Sequence, residues 1–341
     1  MQLDLFADTT EPAPESPPAV QGLKPAPAQA PRPSVTGTRP ETRKPYFRTS
    51  RSSPVAFGEA IADAWYSAHG SSRMDIPVGI VATLALWPHK TPGAQHARTL
   101  ADFIASYPAE DLPSGFGEVV ARHWLQRPDL IDTAAPIFRW TEEKHDKPTL
   151  RAIKAVTDTA LKHGVLWYTG DSDPGGRADV DLMSWTITNL RHKSSRSGLG
   201  EYHTPPEVCD LMAAMLDVSA IPEGGRIGEP AGGTGGMFRA ASQQMRDRGM
   251  DPHRYRWMLQ ELDAIAAAGA AVNMLVWDLG PGALVACGNT LSEGDMTNRA
   301  IEHQRAVFEH RDRLVAAGAI AAAVAEVGAL IQRAKPTRTS A

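Results

Sequence analysis

The sequence predicts an α/β fold in which a helical region precedes a short series of strand–turn–helix units. Three features point to it. Apolar residues recur at helical spacing between residues 53 and 190. Near residue 200 the pattern changes to strand, glycine-rich turn and helix, and it keeps that form to about residue 295. Ahead of both, residues 1–50 contain ten prolines and few large apolar residues after Phe6.

That first stretch cannot bury enough apolar surface to offset the entropy of ordering it, so residues 1–52 read as a disordered, proline-rich tail. Its end is basic, with Arg39, Arg43, Lys44, Arg48 and Arg51 around Tyr46 and Phe47. Two readings stand open for this cluster: a solvated tail and a non-specific phosphate contact. A helical domain is expected over residues 53–197. Ser53-Pro54 is a good N-cap and first-turn pair, followed by Phe57, Ile61 and Trp65 at helical spacing. Leu100, Phe103 and Ile104 mark a further helix, and Val119, Val120 and Trp124 another. Two more are marked by Leu150, Ile153, Val156 and Leu161, then by Val180, Met183, Ile187 and Leu190. Six of the eight tryptophans fall in this region, as a helical core requires. A set of base-stacking aromatics is the competing reading. The strand-bearing domain covers residues 198–295. The remainder, residues 296–341, is Ala-rich and helical, with Ile301, Phe308, Val315 and Ala322 at heptad spacing. Gly318 is expected to divide it into two helices.

Charge is near balance, at −4, so nothing global points to nucleic acid. Contact with DNA would come from local patches or a partner chain. Cys209 and Cys287 match no metal spacing and read as reduced, buried small hydrophobes. No secretory leader is recognised. The longest apolar run, Val78 to Trp87, is roughly half of a membrane span. The expectation is a cytoplasmic protein with no membrane association and no metal.

Four segments carry chemistry. Residues 226–238, RIGEPAGGTGGMF, read as a short strand ending at Glu229, a turn, and a helix starting near Gly236. Gly232, Gly233, Gly235 and Gly236 allow a ligand close to the backbone and make unusual φ values cheap. Glu229 stands at the strand's carboxyl end, where a carboxylate can meet a cationic amine. The dinucleotide fingerprint fits poorly, because G-x-G-x-x-G started at Gly233 places Phe238 at the third glycine. A second strand, Tyr255 to Leu259, is followed by Glu261, where α/β folds grip a ribose, with Asp263 as the competing acid. A third strand, from Leu284, ends in a polar turn at Asn289, whose amide could meet an adenine edge. Residues 198–208, GLGEYHTPPEV, read as a helix start, with Thr204 and Glu207 as a capping box and Pro205 in the first helical position.

In order and spacing, these segments resemble adenine-N6 DNA methyltransferases, in particular the methylation subunit of type I restriction–modification systems. The counterparts here are GEYHTP, EPAGGTGG, LQEL and GNTL, within residues 198–292. The basic stretch through Arg191, Lys193 and Arg196 also looks family-like. The resemblance implies a truncated S-adenosylmethionine (SAM)-dependent methyltransferase domain, Rossmann-like, behind the helical domain. It implies SAM as cofactor, DNA as cognate substrate and restriction–modification subunits as partners. It carries Thr204, Glu229, Gly233, Gly235, Glu261 and Asn289 over as SAM contacts. Three residues depart from the family pattern: Glu229 for Asp, Gly232 for Cys, and Asn289 for Asp. The last exchanges an acceptor-only group for an amide.

Family members that act as enzymes carry (N/D)-P-P-(Y/F) at a fourth strand tip, where it holds the flipped target base. This tetrapeptide does not occur in the sequence, so no catalytic residue is assigned. The expectation is a SAM-binding component, incomplete for catalysis alone. The alternatives are an enzyme completed by a partner chain and a non-enzymatic regulator or decoy of restriction. At the N-terminus, Gln2, Leu3, Leu5 and Phe6 resemble a peptide that docks on the bacterial sliding clamp, with an inert terminus as the alternative.

Overall fold

Helix α1 (Pro54–Ala68) starts where the sequence places it. The Ser53 hydroxyl accepts from the Ala56 N–H at 3.2 Å, and Pro54 needs no donor in the first turn. The computed structural model describes residues 53–69, 73–87, 94–191 and 203–334. The proline-rich tail, its basic cluster, the clamp-like peptide, Lys193, Arg196 and the GEY of GEYHTP lie outside these residues.

Helix α2 (Asp75–Ala85) is apolar on every side, and every residue from Ile76 to Leu86 is buried. The run that is too short for a membrane is thus a core helix. The chain continues through α3 (Ala94–Ala105), α4 (Leu112–Gln126), α5 (Pro128–Thr133) and α6 (Lys147–Lys162), of which α4 and α6 pack on α2. The short α7 (Val165–Thr169) and α8 (Pro174–Arg177) lead to α9 (Leu182–Leu190), which packs against α1 and α2. Trp65 and Trp140 are wholly buried, as core residues. No helix among the described residues is long and apolar enough to cross a membrane.

Helix α10 (Pro206–Met215) then leads to three strands: β1 (Arg226–Glu229), β2 (Arg256–Glu261) and β3 (Ala283–Cys287). They pair in parallel, in the order β1-β2-β3. Helices α11 (Gly236–Asp247) and α12 (Ala264–Val276) are the crossovers. Alternation sorts the faces. Trp257 and Leu259 join the main core, where Phe238 of α11 meets Trp257 edge-on at 5.1 Å between centroids. Met258, Leu284 and Ala286 point the other way and pack on Met296 and Ala300. A short α13 (Thr290–Glu293) precedes α14 (Thr297–Ala334), to which Ala300 belongs.

One contiguous core runs from Phe57 in α1 to Val285 in β3. Arginines bridge its helical and strand-bearing parts. Arg127 donates to the carbonyls of Gly280 (2.8 Å) and Ala283 (2.6 Å), and buried Arg177 donates to Val276 O at 2.6 Å.

Four local expectations are corrected. The capping box does not form: Thr204 is exposed and α10 begins at Pro206, because a residue before proline is pushed out of the helical region and Pro205 sits extended, with ψ 141°. Gly318 does not break α14, which is continuous. A helical glycine costs only about 1 kcal/mol, and its alanine-rich neighbours offset it. The heptad positions of α14 form no buried seam, with Ile301 38% and Val315 52% exposed. Cys287, at the tip of an edge strand, is exposed, whereas Cys209 is buried as expected.

Only the start of α14 covers the sheet; every residue from Asp312 to Ala322 is exposed. Deleting residues 312–341 should therefore leave the urea midpoint unchanged. Deleting residues 296–341 uncovers Met258, Leu284 and Ala286 and should give aggregated protein by light scattering. Equal behaviour of the two truncations would contradict this division of α14.

Candidate functional site

The chain leaves β1 through Pro230 and turns back over β2. Gly232 N–H donates to Gln260 O at 3.0 Å, and Gly235 N–H closes the turn on Gly232 O at 2.8 Å. Gly233 and Gly235 have φ of +53° and +92°, which only glycine adopts cheaply. The glycines do different jobs. A Cβ on Gly232 would fall 2.4 Å from Leu259 Cγ, and one on Gly235 would fall 3.3 Å from the Trp277 ring, so packing demands both. At Gly233 the nearest atoms are those of the His203 ring, at 4.0 Å, so this position opens outward.

Glu229 stands at the tip of β1 beside this turn. Its Oε2 is buried and has no hydrogen-bond partner among the described residues. Burial, and then the charge of Glu261 on the neighbouring strand, pushes its pKa up to about 8. A buried carboxylate with an unused oxygen is costly unless a donor or cation meets it. Glu261 is already engaged: Oε2 accepts from Gly233 N–H and Oε1 from Asp263 N–H, both at 2.8 Å. Each of its oxygens keeps a lone pair for a further donor. Asp263, the competing acid, is taken up in structure. It caps α12 through Ala266 N–H and pairs with Arg191.

The third strand tip is tied to the first by Thr290, whose hydroxyl donates to Pro230 O at 2.6 Å and accepts from Gln260 Nε2 at 3.0 Å. Asn289 is exposed and caps α13, its Oδ1 accepting from Leu291 N–H at 3.0 Å. Thr204 is exposed near His203, whose Nδ1 lies 2.8 Å from the Ser184 hydroxyl. The structure thus gathers Glu229, Gly233 and Glu261 around one turn, with Gly235 behind it. The Asn289 side chain bonds within its own turn, and Thr204 is exposed.

Sequence reasoning passed over His203, Thr290, Asp181 and Asn273. Thr234, buried in the glycine turn, donates its hydroxyl to Asp181 at 2.6 Å, and its carbonyl accepts from Asn273 Nδ2 at 2.9 Å. An asparagine in an otherwise apolar, Ala-rich helix was the available signal for one of these.

Residues 181–308 match the family model described as N-6 DNA Methylase. The family resemblance read from the motifs is borne out over this segment. Among solved structures, the chain is similar to the type I restriction-modification system methyltransferase subunit from Streptococcus thermophilus. That similarity has 13% identity and a TM-score of 0.40, and covers 73% of this chain and 60% of that one. The chain thus spans less than two thirds of that subunit's length. Curated proteins give no match.

The pKa of Glu229 makes stability depend on pH with a definite sign. It is raised in the fold from 4.5 to about 8, so the folded state keeps a proton that the unfolded chain releases in that window. Stability should fall as pH rises through it. Glu229→Gln should be more stable than the parent at pH 8, by up to a few kcal/mol, with little difference near pH 4.5. Denaturant titrations at several pH values test this; parallel pH profiles for the two proteins would contradict it.

Proposed function

From the match to N-6 DNA methylases and the geometry of the turn, we propose that the chain binds SAM at the β1 and β2 tips. It would serve adenine-N6 DNA methylation of the restriction–modification type. The observation that carries this reading is the buried oxygen of Glu229 without a partner among the described residues, which fits a cationic amine such as that of an amino acid. The outward backbone at Gly233 gives a ligand close approach, and Glu261 keeps acceptor capacity for ribose hydroxyls. Asn289 and Thr204 stand at the flanks for the adenine and the methionine side. When bound, SAM supplies an electrophilic methyl group; the residues here hold and orient it. DNA and restriction–modification subunits are the corresponding substrate and partners.

The sequence lacks the tetrapeptide that would hold the target base, so in this reading the chain alone is incomplete for transfer. One observation favours a second reading, completion by a partner chain. Val208, Leu211, Met212 and Met215 follow helical spacing on α10, yet are exposed by 41%, 61%, 47% and 78%. An amphipathic helix with its apolar face in solvent is a contact surface.

Calorimetry with SAM and with its demethylated product tests the reading. The wild type should bind both. Glu261→Ala should weaken binding by roughly 1–3 kcal/mol, the usual cost of unpaired polar groups. A folded wild type that gives no heat with either ligand overturns the SAM reading and leaves the non-enzymatic regulator or decoy.

A further inference from the structure

Helix α9 belongs to the helical region, yet each of its ends is bonded to one of the two ligand loops. At its N-cap, Asp181 is 5% exposed and uses both oxygens. Oδ1 accepts from Ser184 N–H at 2.9 Å and from Asn273 Nδ2 at 2.8 Å; Oδ2 accepts from the Thr234 hydroxyl at 2.6 Å. Thr234 is the one residue with a side chain between Gly232 and Gly236, and so the one side-chain handle on that turn. At the other end of α9, buried Arg191 pairs with Asp263. The backbone N–H of Asp263 in turn donates to Glu261 at 2.8 Å.

A glycine-rich turn loses more conformational freedom on ordering than any other kind of segment. A scaffold that orders it in advance removes that cost from binding. A helix of nine residues is about 13 Å long, and its backbone hydrogen bonds hold that length. We infer that α9 is a brace that sets the spacing of the two loops. Asp181, acting through Thr234, and Arg191, acting through Asp263, are positioning residues for the adenosyl ligand, an inference that rests on the proposed SAM site. Bonds serving only to pack α9 would end on the sides of neighbouring helices. One Asp181 bond, to Asn273, does end on α12, but the other reaches the only side chain of the glycine turn, and Arg191 reaches the Glu261 tip through Asp263.

The test uses the full chain, with S-adenosylhomocysteine and adenosine as probes, and reads affinity beside the melting temperature. Thr234→Val keeps the shape and removes the hydroxyl. It should lower S-adenosylhomocysteine affinity by roughly tenfold or more and leave adenosine affinity nearly unchanged, because the glycine turn serves the amino-acid half. Thr234→Ser should restore binding. Arg191→Met should weaken both probes by about tenfold, because the Glu261 tip serves the ribose. Thr186→Val removes a buried hydroxyl from the same helix, one that donates to Leu182 O, and should lower the melting temperature without changing either affinity. If Thr234→Val does not fold, Thr234→Ala makes the same comparison. The inference is overturned if folded Thr234 variants bind like the parent, or if they lose both probes in proportion to stability. A wild type that binds neither probe instead overturns the SAM site itself, and the brace with it.

Discussion

The hydrogen bond from Gly233 N–H to the Glu261 carboxylate is the constraint on which the site depends. It joins the turn after β1 to the tip of β2 and holds the turn folded back over the sheet. The parallel register then sets Glu229 one strand away from Glu261. Two carboxylates thus stand at neighbouring strand tips, one bonded on both oxygens and one with a buried oxygen that has no partner among the described residues. Glu261 receives two backbone N–H groups, one on each oxygen. Glu229 receives neither, loses its water to burial and feels the charge of Glu261, so its pKa rises to about 8. The two acids thus differ: one holds the turn, and the other keeps a buried oxygen with no partner among the described residues.

The helical region supports this arrangement through shared packing. The core that begins at Phe57 continues through Met183 and Ile187 of α9 into Ala267 to Val272 of α12 and on to β3. Arg177 satisfies the Val276 carbonyl at the end of α12, an acceptor that a helix end leaves open, and Arg127 bonds the Gly280 and Ala283 carbonyls at the entry to β3. These bonds fix where β3 enters the sheet.

Much of the fold was legible because its signals are local. A strand that ends in a carboxylate and runs into four glycines within five residues predicts β1, the turn and α11 to within a residue. Ser53-Pro54 fixed the start of α1 in the same way. The misreadings came where two local rules compete. Thr204 and Glu207 satisfy the capping pattern, but consecutive prolines deny Pro205 the helical conformation. Gly318 is a helix breaker by propensity, but its alanine neighbours carry the helix through it. The site's supports were invisible for another reason. Asp181 and Thr234 lie 53 residues apart, and Arg191 and Asp263 lie 72 apart, so no spacing rule connects them. Of the acids after β2, position alone left Glu261 and Asp263 open. The geometry separates them, because Asp263 is committed to Arg191 and the α12 cap.

In the proposed function, Glu229 is a mostly protonated acid that meets the cation of the ligand. At pH 7 a carboxyl with a pKa of about 8 holds its proton, and a ligand's ammonium group can pair with it only after that proton leaves. Proton release is therefore the direct test. The enthalpy of S-adenosylhomocysteine binding, measured at pH 7 in buffers of different ionisation enthalpy, should reveal about one proton released per ligand bound. It should reveal none for Glu229→Gln, and none when adenosine, which lacks the amine, replaces the probe. Binding of S-adenosylhomocysteine with no dependence on buffer, or with equal release by Glu229→Gln, would contradict the role given to this carboxylate.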